Sequence, residues 1–171
     1  MTLTDAQIDR YSRQIIVPRI GGRGQERILA ARILLVGDAR DIEVPRVYLV
    51  GAGVGTIVTV GDQSPDRFDL ALALIGTEAA RKVVNEIVSN RDVQALIVAR
   101  LDVSGRIAVV PHGHSVDGSM LAEVGARSEA ADFIAMIATA EAFKLLAGYV
   151  ESPSPATIEF DSYATRTRVH P

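Results

Sequence analysis

The 171 residues suffice for one domain and are too few for two of ordinary size. Lysine and arginine number 18 against 21 aspartates and glutamates, so the net charge of −3 leaves no basic excess for binding nucleic acid. The longest apolar run, residues 133–140, falls short of the roughly 18 residues that a membrane span requires. Because there is no cysteine, disulfides, thiolate zinc sites and a cysteine nucleophile are excluded. We therefore expect one soluble domain over residues 1–171, in the cytoplasm because no secretory signal is present.

The first thirty residues predict an amphipathic helix followed by a turn. Thr4 and Gln7 form a capping box at the start of the helix. The apolar residues that then recur at helical spacing, and that we expect to face the core, are Ile8, Tyr11 and Ile15. The glycines of residues 21–24 predict a turn, after which a short helix leads into the next element.

A β-α-β unit follows. Residues 33–36 are uninterruptedly apolar, which is typical of a buried strand in a parallel sheet. A short helix over residues 43–50, beginning near Pro45, leads to a β-branched strand over residues 56–60.

The second half of the chain predicts further helices and strands of the same sheet. These are a helix between Gly76 and Asn90, strands over 95–99 and 107–110, a buried helix over 130–147, and a β-hairpin of 157–160 with 165–169. Residues 151–155 are the only linker-like stretch. Together these elements predict an α/β domain with a mainly parallel, Rossmann-like sheet and a C-terminal hairpin.

Two loops are candidate nucleotide sites. Gly51, Gly53 and Gly55 are spaced like a dinucleotide fingerprint, but a strand rather than a helix follows, so we interpret them as a helix end and turn. The segment Gly37 to Ile42 lies correctly, between a strand and a helix, but it carries two carboxylates. At an effective dielectric constant near 20, unit charges about 4 Å apart repel by about 4 kcal/mol, which disfavours phosphate there even if Arg40 offsets part of it.

The segment of residues 112–117 is a candidate metal site. His112, His114 and Asp117 are ligand types at short spacing, but alternate residues of an extended segment point to opposite faces and no third nitrogen or sulfur ligand lies nearby. We interpret this segment as an ordinary loop and expect no metal site.

Several segments carry a recognisable pattern in a fixed order. They are Arg10-Tyr11-Ser12-Arg13-Gln14-Ile15-Ile16, Gly24-Gln25, Ala31 to Gly37, Ala52 to Ile57 and Ala140 to Gly148. This pattern resembles the E1-like activating enzymes of the HesA/MoeB/ThiF type over most of the chain, although residues 101–129 match poorly and look shortened. The resemblance implies a dimeric, Rossmann-like domain of enzymes that use MgATP to adenylate the C-terminal glycine of a ubiquitin-like or sulfur-carrier protein.

The sequence departs from the family pattern at the positions that bind nucleotide and metal in the family. Ala39, Arg40 and Ile42 stand where the family has glycines in its nucleotide loop, and Gly61 replaces the acidic residue that binds ribose, with Asp62 one step away. Residues 63–80 lack the family's phosphate-binding arginine and lysine segments, and no metal-binding aspartate can be placed. Only Gly37 and Asp62 remain as residual positions of a nucleotide site.

One element of the family's chemistry is retained. The second arginine of the Arg-Tyr-x-Arg-Gln segment reaches across the family's dimer to the partner's ATP phosphates, a role that the resemblance transfers to Arg13. The alternative is that Arg10 and Arg13 are solvated helix charges.

The sequence thus predicts a non-enzymatic E1-like subunit without a cofactor of its own. It would form a homodimer, or a heterodimer with an active E1-like protein, and would act on a carrier protein through that partner. The alternatives are an active ATP- and Mg-dependent adenylyltransferase, or a module that binds a small molecule or peptide in the vacated pocket.

Overall fold

A mixed β-sheet covered by helices on both faces forms the protein. The computed structural model describes residues 2–62, 67–90, 92–149, 155–161 and 166–170. Its helices are α1 (Asp5–Ile15), α2 (Gly21–Ala30), α3 (Ala39–Ala52), α4 (Glu78–Asn90) and α5 (Ala131–Leu146), with a 3-10 turn at Gly118–Leu121. Its strands are β1 (Arg32–Val36), β2 (Thr56–Thr59), β3 (Arg67–Phe68), β4 (Leu70–Ile75), β5 (Asp92–Val93), β6 (Ala95–Arg100), β7 (Arg106–Pro111), β8 (Ala156–Asp161) and β9 (Arg166–His170).

The main sheet has seven strands in the order β2-β1-β4-β6-β7-β8-β9. Strands β2, β1, β4 and β6 are parallel to one another, whereas β7, β8 and β9 pair antiparallel. The chain leaves β1 for β2 on one side and returns to β4 on the other, so the connections change direction at β1. In open α/β sheets, ligands bind outside the carboxyl ends of the strands at such a switch point.

Alternate residues of the central strands enter two separate cores. On one face Leu35, Leu72 and Ile97 pack with α2, α3 and α5. On the other face Leu34 and Ala73 pack with α4 and the 3-10 turn. This three-layer arrangement confirms the Rossmann-like fold class expected from the sequence, including the C-terminal hairpin. In the described ranges, no helix combines the length and the apolar character needed to cross a bilayer.

The capping box predicted for the first helix is confirmed. The Thr4 side chain accepts a hydrogen bond from the Gln7 amide, and the Gln7 side chain accepts one from the Thr4 amide at 2.9 Å. Tyr11 is buried, but Ile8 is 44% exposed, so the expectation that Ile8 faces the core is wrong. Among the described elements α2 makes the main contact with this helix, so one side of α1 meets solvent.

Two boundaries differ from the sequence expectation. Residues 21–24 form the first turn of α2 rather than a loop, and Gly24 there is buried so closely that a Cβ would lie 3.0 Å from Ile20 and 3.1 Å from the Ala147 carbonyl oxygen. Helix α3 begins at Ala39 and contains Pro45 in its interior, instead of beginning near that proline. In both helices tertiary packing outweighs the local preference of glycine and proline.

The central strand β4 had no counterpart among the predicted elements. Residues 70–75 are six consecutive buried apolar residues paired with both β1 and β6. A short apolar run of this length is the sequence signal of a strand buried on both faces. The predicted linker at residues 151–155 lies outside the described residues except for Pro155.

Candidate functional site

The crevice at the carboxyl ends of β1 and β4 is the place where this fold binds ligands. Gly37 follows β1 and Gly76 follows β4, and both are closely packed. A Cβ at Gly37 would lie 2.9 Å from both the Ile42 side chain and the Leu74 carbonyl oxygen. Helix α3 then begins, so this edge has the strand-loop-helix geometry that was expected for residues 37–42.

A buried ion pair fills the crevice. The Asp41 side chain, in the first turn of α3, is only 4% exposed and lies against Gly76, where a Cβ would clash with its Oδ2. Its Oδ1 accepts hydrogen bonds from Nη2 of Arg127 at 3.0 Å and from Nε at 3.2 Å. Arg127 Nη2 also lies 2.8 Å from Oδ1 of Asp132, whose side chain is 75% exposed. The sequence predicts that a free Asp41 would repel a phosphate. In the structure Arg127 neutralises the Asp41 carboxylate, and the carboxylate itself takes up space next to Gly76.

The charge of Arg127 is secured by its partners. Burial by itself would lower the pKa of Arg127, but the hydrogen bonds to Asp132 and Asp41 raise that pKa above its ordinary value. The guanidinium thus remains a cation at every physiological pH, and the pair with Asp41 is ionic.

A second buried pair anchors the loop that carries Arg127. The Arg100 guanidinium, at the end of β6, is ion-paired with Asp102 and donates to the carbonyl oxygens of Ala122 at 2.9 Å and Glu123 at 2.8 Å. Asp102 in turn accepts the Gly125 amide at 3.1 Å. These bonds hold the loop across the carboxyl edge of the sheet.

The ionisation of Asp102 depends on this network. Burial raises the pKa of Asp102, but hydrogen bonds from Arg100, Ser104 and the Gly125 amide lower the pKa by more than burial raises it. The net pKa of Asp102 therefore lies below its usual value. The carboxylate is accordingly charged and buried, with its charge balanced by Arg100.

The other predicted positions around the nucleotide loop have different surroundings. Asp38 precedes α3 at the N-cap position, but its side chain makes no capping hydrogen bond. Arg40 is exposed on the first turn of α3. The Asp62 carboxylate accepts hydrogen bonds from the Thr59 hydroxyl at 2.7 Å and amide at 3.0 Å, which lower the pKa of Asp62. Asp62 thus closes its own turn after β2.

Arg13 lies away from this crevice, exposed in the last turn of α1. It has no ion pair within the part of the chain that the structure describes. Arg10 differs, because its guanidinium lies 5.7 Å from the centre of the Tyr11 ring. The two arginines that the sequence could not separate therefore have different environments.

An apolar groove of about 560 Å³ lies next to the end of α1. Helices α3 and α5 form its walls, and Gln14, the neighbour of Arg13, forms part of its rim. On the α3 side Val47 and Tyr48 are exposed by 64% and 60%. The Gln14 Oε1 atom is buried without a hydrogen-bond partner among the described residues.

The histidine segment is organised by its own backbone. His112 Nδ1 lies 3.2 Å from the Val93 carbonyl oxygen, and the Asp117 carboxylate accepts the Ser119 amide at 2.7 Å to cap the 3-10 turn. Within the described ranges, no group of three or more histidine, aspartate and glutamate side chains could hold a metal ion.

Sequence reasoning missed the residues that close the crevice: Arg100, Asp102 and Arg127. For the first pair a signal existed, since opposite charges adjoin the end of an apolar strand, where burial demands a counter-charge. Arg127 lies 86 residues from Asp41 in a loop without periodicity, and nothing local indicates their contact.

No protein-family model matches the chain. Among curated proteins, it is 41% identical over 71 residues to the SAMP-activating enzyme E1 of Haloferax volcanii, a match covering 41% of this chain and 26% of that enzyme. It is 46% identical over 61 residues to the sulfur carrier protein adenylyltransferase of Thermus thermophilus, which covers 35% of this chain and 22% of that enzyme. The chain thus matches about a quarter of the length of these relatives.

Solved structures resemble the chain over nearly its whole length. E. coli MccB with ATP superposes with a TM-score of 0.64 at 12% identity, covering 95% of this chain and 71% of MccB. PaaA superposes with a TM-score of 0.60 at 14% identity, covering 99% of this chain and 74% of PaaA. At these identities the likeness concerns the fold. With the matches to the E1 and the adenylyltransferase, it confirms the resemblance to E1-like activating enzymes.

Proposed function

We propose that this relative of the E1-like activating enzymes is a catalytically inactive subunit. It pairs with itself or with an active relative, and through that pairing it assists the adenylation of a ubiquitin-like or sulfur-carrier protein. The observation that carries the proposal is the Asp41–Arg127 ion pair, which occupies the crevice where the fold binds nucleotides.

The residues at this edge do not fit a nucleoside triphosphate. A phosphate loop needs glycines that let backbone amides approach the phosphates, and Ala39, Arg40 and Ile42 carry side chains there. The guanidinium of Arg127, which lies at this edge, is already neutralised by Asp41. Bringing in a phosphate would require breaking a buried pair, which costs about 3–5 kcal/mol when one partner is left uncompensated.

The groove between α3 and α5 supports the pairing with a second E1-like protein. Its exposed apolar side chains, Val47 and Tyr48, would lose contact with water in a dimer, which favours association.

Arg13 is exposed on α1, the helix that also contributes Gln14 to the rim of the groove, and the proposal requires a partner on the groove to extend to the Arg13 guanidinium. An arginine supplied in trans stabilises the charge of a phosphoryl transition state and needs no nucleotide pocket on its own subunit. This gives a subunit with a closed crevice a function in its partner's reaction.

Catalytic inactivity is tested by ATP–pyrophosphate exchange with the purified chain and a small carrier protein ending in Gly-Gly. We expect no exchange, and no ATP binding at micromolar concentrations by calorimetry, because Asp41 fills the crevice. Robust exchange would contradict the proposal and favour the active adenylyltransferase that the names of the two matched enzymes suggest. Tight ATP binding without exchange would instead favour a binding module.

The role of Arg13 is tested in a complex with a co-purifying active relative. Arg13→Ala should leave the complex assembled, because the side chain is exposed, yet lower the relative's adenylation rate by about 10²-fold, the usual scale for one preorganised charge donor. Arg10→Ala, one turn away on the same helix, is the matched control and should have little effect. Equal, small effects of the two substitutions would show that Arg13 is a solvated charge.

A further inference from the structure

The Asp41 carboxylate is held as a bound anion would be held. One oxygen, Oδ1, receives two hydrogen bonds from the Arg127 guanidinium, at 3.0 and 3.2 Å. The other, Oδ2, occupies space that exists only because residue 76 is glycine. The carboxylate is 4% exposed, so its charge depends on Arg127 for compensation.

The Arg127 side chain meets solvent beside its second partner, Asp132. The Arg127 side chain is 23% exposed, and that of Asp132 is 75% exposed. An exposed ion pair exchanges readily with water and ions, because solvent screens its attraction. A small anion from solution can therefore reach the guanidinium without opening the core.

The backbone of Arg127 is held by contacts that do not involve Asp41. The loop before it is anchored by Arg100 and Asp102, and the residue after it, Ser128, donates its amide to the Leu101 carbonyl oxygen at 2.8 Å. A backbone bridge also joins Arg127 to Asp102. Removing the Asp41 carboxylate would thus leave Arg127 in place, with its guanidinium bonded to Asp132 and an empty, anion-sized space beside it.

We propose that Arg127 is the centre of an oxyanion-binding site whose internal ligand is Asp41. An external phosphate or carboxylate group binds there only when the Asp41 carboxylate is removed or displaced. This inference rests on the proposed function, because it takes the Asp41–Arg127 contact as the one that excludes nucleotide from an inactive subunit.

The test is a titration of the full ¹⁵N-labelled chain with inorganic phosphate and, separately, with acetate at constant ionic strength, following the backbone amide signals of residues 127 and 128, which every variant retains. In the unaltered protein we expect no saturable shift. In Asp41→Ala we expect saturable binding, with an affinity at least tenfold above the weakest that the titration of the unaltered protein would detect. A stronger response to phosphate than to acetate, or the reverse, would show which oxyanion fits the site. Asp41→Ser, which also leaves most of the space of the carboxylate empty, provides the same comparison if Asp41→Ala does not fold.

The controls separate this site from general anion binding. Asp132→Asn removes the exposed partner only and should not produce the tenfold gain, and Asp41→Ala combined with Arg127→Gln should abolish it. Equal affinity in the unaltered protein and both Asp41 variants, or an unchanged gain in the double variant, would overturn the proposal. These results are independent of ATP–pyrophosphate exchange. If the oxyanion site fails its test, the proposed role as an inactive subunit is unaffected. If the unaltered protein catalyses exchange, only the proposed inactive role is contradicted.

Discussion

Individual side chains at the carboxyl edge of the sheet form two buried ion pairs. Asp41 supplies a carboxylate where the sequence resemblance implies phosphates, and Arg127 pairs with it. Arg100 and Asp102 form a second buried pair below the same loop. Buried pairs of this kind contribute little net stability compared with apolar residues, but losing one partner is costly.

The buried pair of Arg100 and Asp102 predicts a dependence of stability on pH. The pKa of Asp102 is lower in the folded state than its unfolded value near 3.9, so its contribution is full above that value and is lost as the pH falls through the folded pKa. Asp102→Asn should lower the free energy of unfolding by about 3 kcal/mol at pH 7, because Arg100 keeps a buried charge without a counter-charge. It should also reduce the loss of stability between about pH 5 and about pH 2.

Urea denaturation across that pH range measures both effects. Asp9→Asn, on the exposed side of α1, is the control and should reproduce the acid dependence of the unaltered protein. An Asp102→Asn variant with an unchanged acid dependence would mean that Asp102 does not carry a lowered pKa.

At the scale of elements, α3 shows how packing sets helix boundaries. Its interior contains Pro45, which cannot donate a backbone hydrogen bond, and yet the helix extends through residues 39–52. Pro45 is buried, as are Asp41 and Leu49 on the same side of the helix, at spacings of four residues. Contact along this side with α5 and β1 holds the turns before and after the proline.

The glycines at the end of α3 give a matched pair of substitutions. Gly53 ends the helix at φ 88°, and a Cβ there would lie 2.5 Å from the Tyr11 hydroxyl oxygen, so Gly53→Ala should destabilise the fold by about 2 kcal/mol or more. Gly51 lies within the helix, and a Cβ there would meet no atom of the described residues outside its own helical turn within 4 Å. Gly51→Ala should therefore stabilise the fold by about 0.5–1 kcal/mol.

Thermal and urea unfolding of the two variants measure this difference. Opposite signs are expected because the two glycines differ in backbone conformation and in their contact with α1. Destabilisation by both to the same extent would indicate that the groove beside Gly51 is closed in solution, and would contradict the exposure seen in the structure.

For the whole molecule, the apolar groove between α3 and α5 is a feature that the fold by itself does not explain. A chain of this size has a limited core, and association is a common way to cover apolar surface that the fold leaves exposed. The groove and the buried Gln14 Oε1 lie on this one side.

We expect the purified chain to be a dimer at micromolar concentration by light scattering, or to form a heterodimer with a relative. Val47→Glu places a charge on the groove wall and should shift the assembly towards monomer by about tenfold or more in Kd, because the charge would have to be desolvated. Val103→Glu is the matched control, since Val103 is 70% exposed in a turn outside the groove, and it should leave assembly unchanged. Equal effects of both substitutions would place the interface elsewhere.

The sequence by itself determined the elements whose signals are local, and through them the fold class. The capping box of Thr4 and Gln7, the apolar run of β1 and the helical spacing of α4 depend on neighbouring residues, so their pattern is complete within one segment. The family resemblance depends on such segments too. Only the tertiary structure decided the state of the candidate site. Asp41 and Arg127 are 86 residues apart, and Arg100 binds carbonyl oxygens of a loop 20 to 23 residues away, contacts that arise because parallel strands bring distant loops to one edge of the sheet.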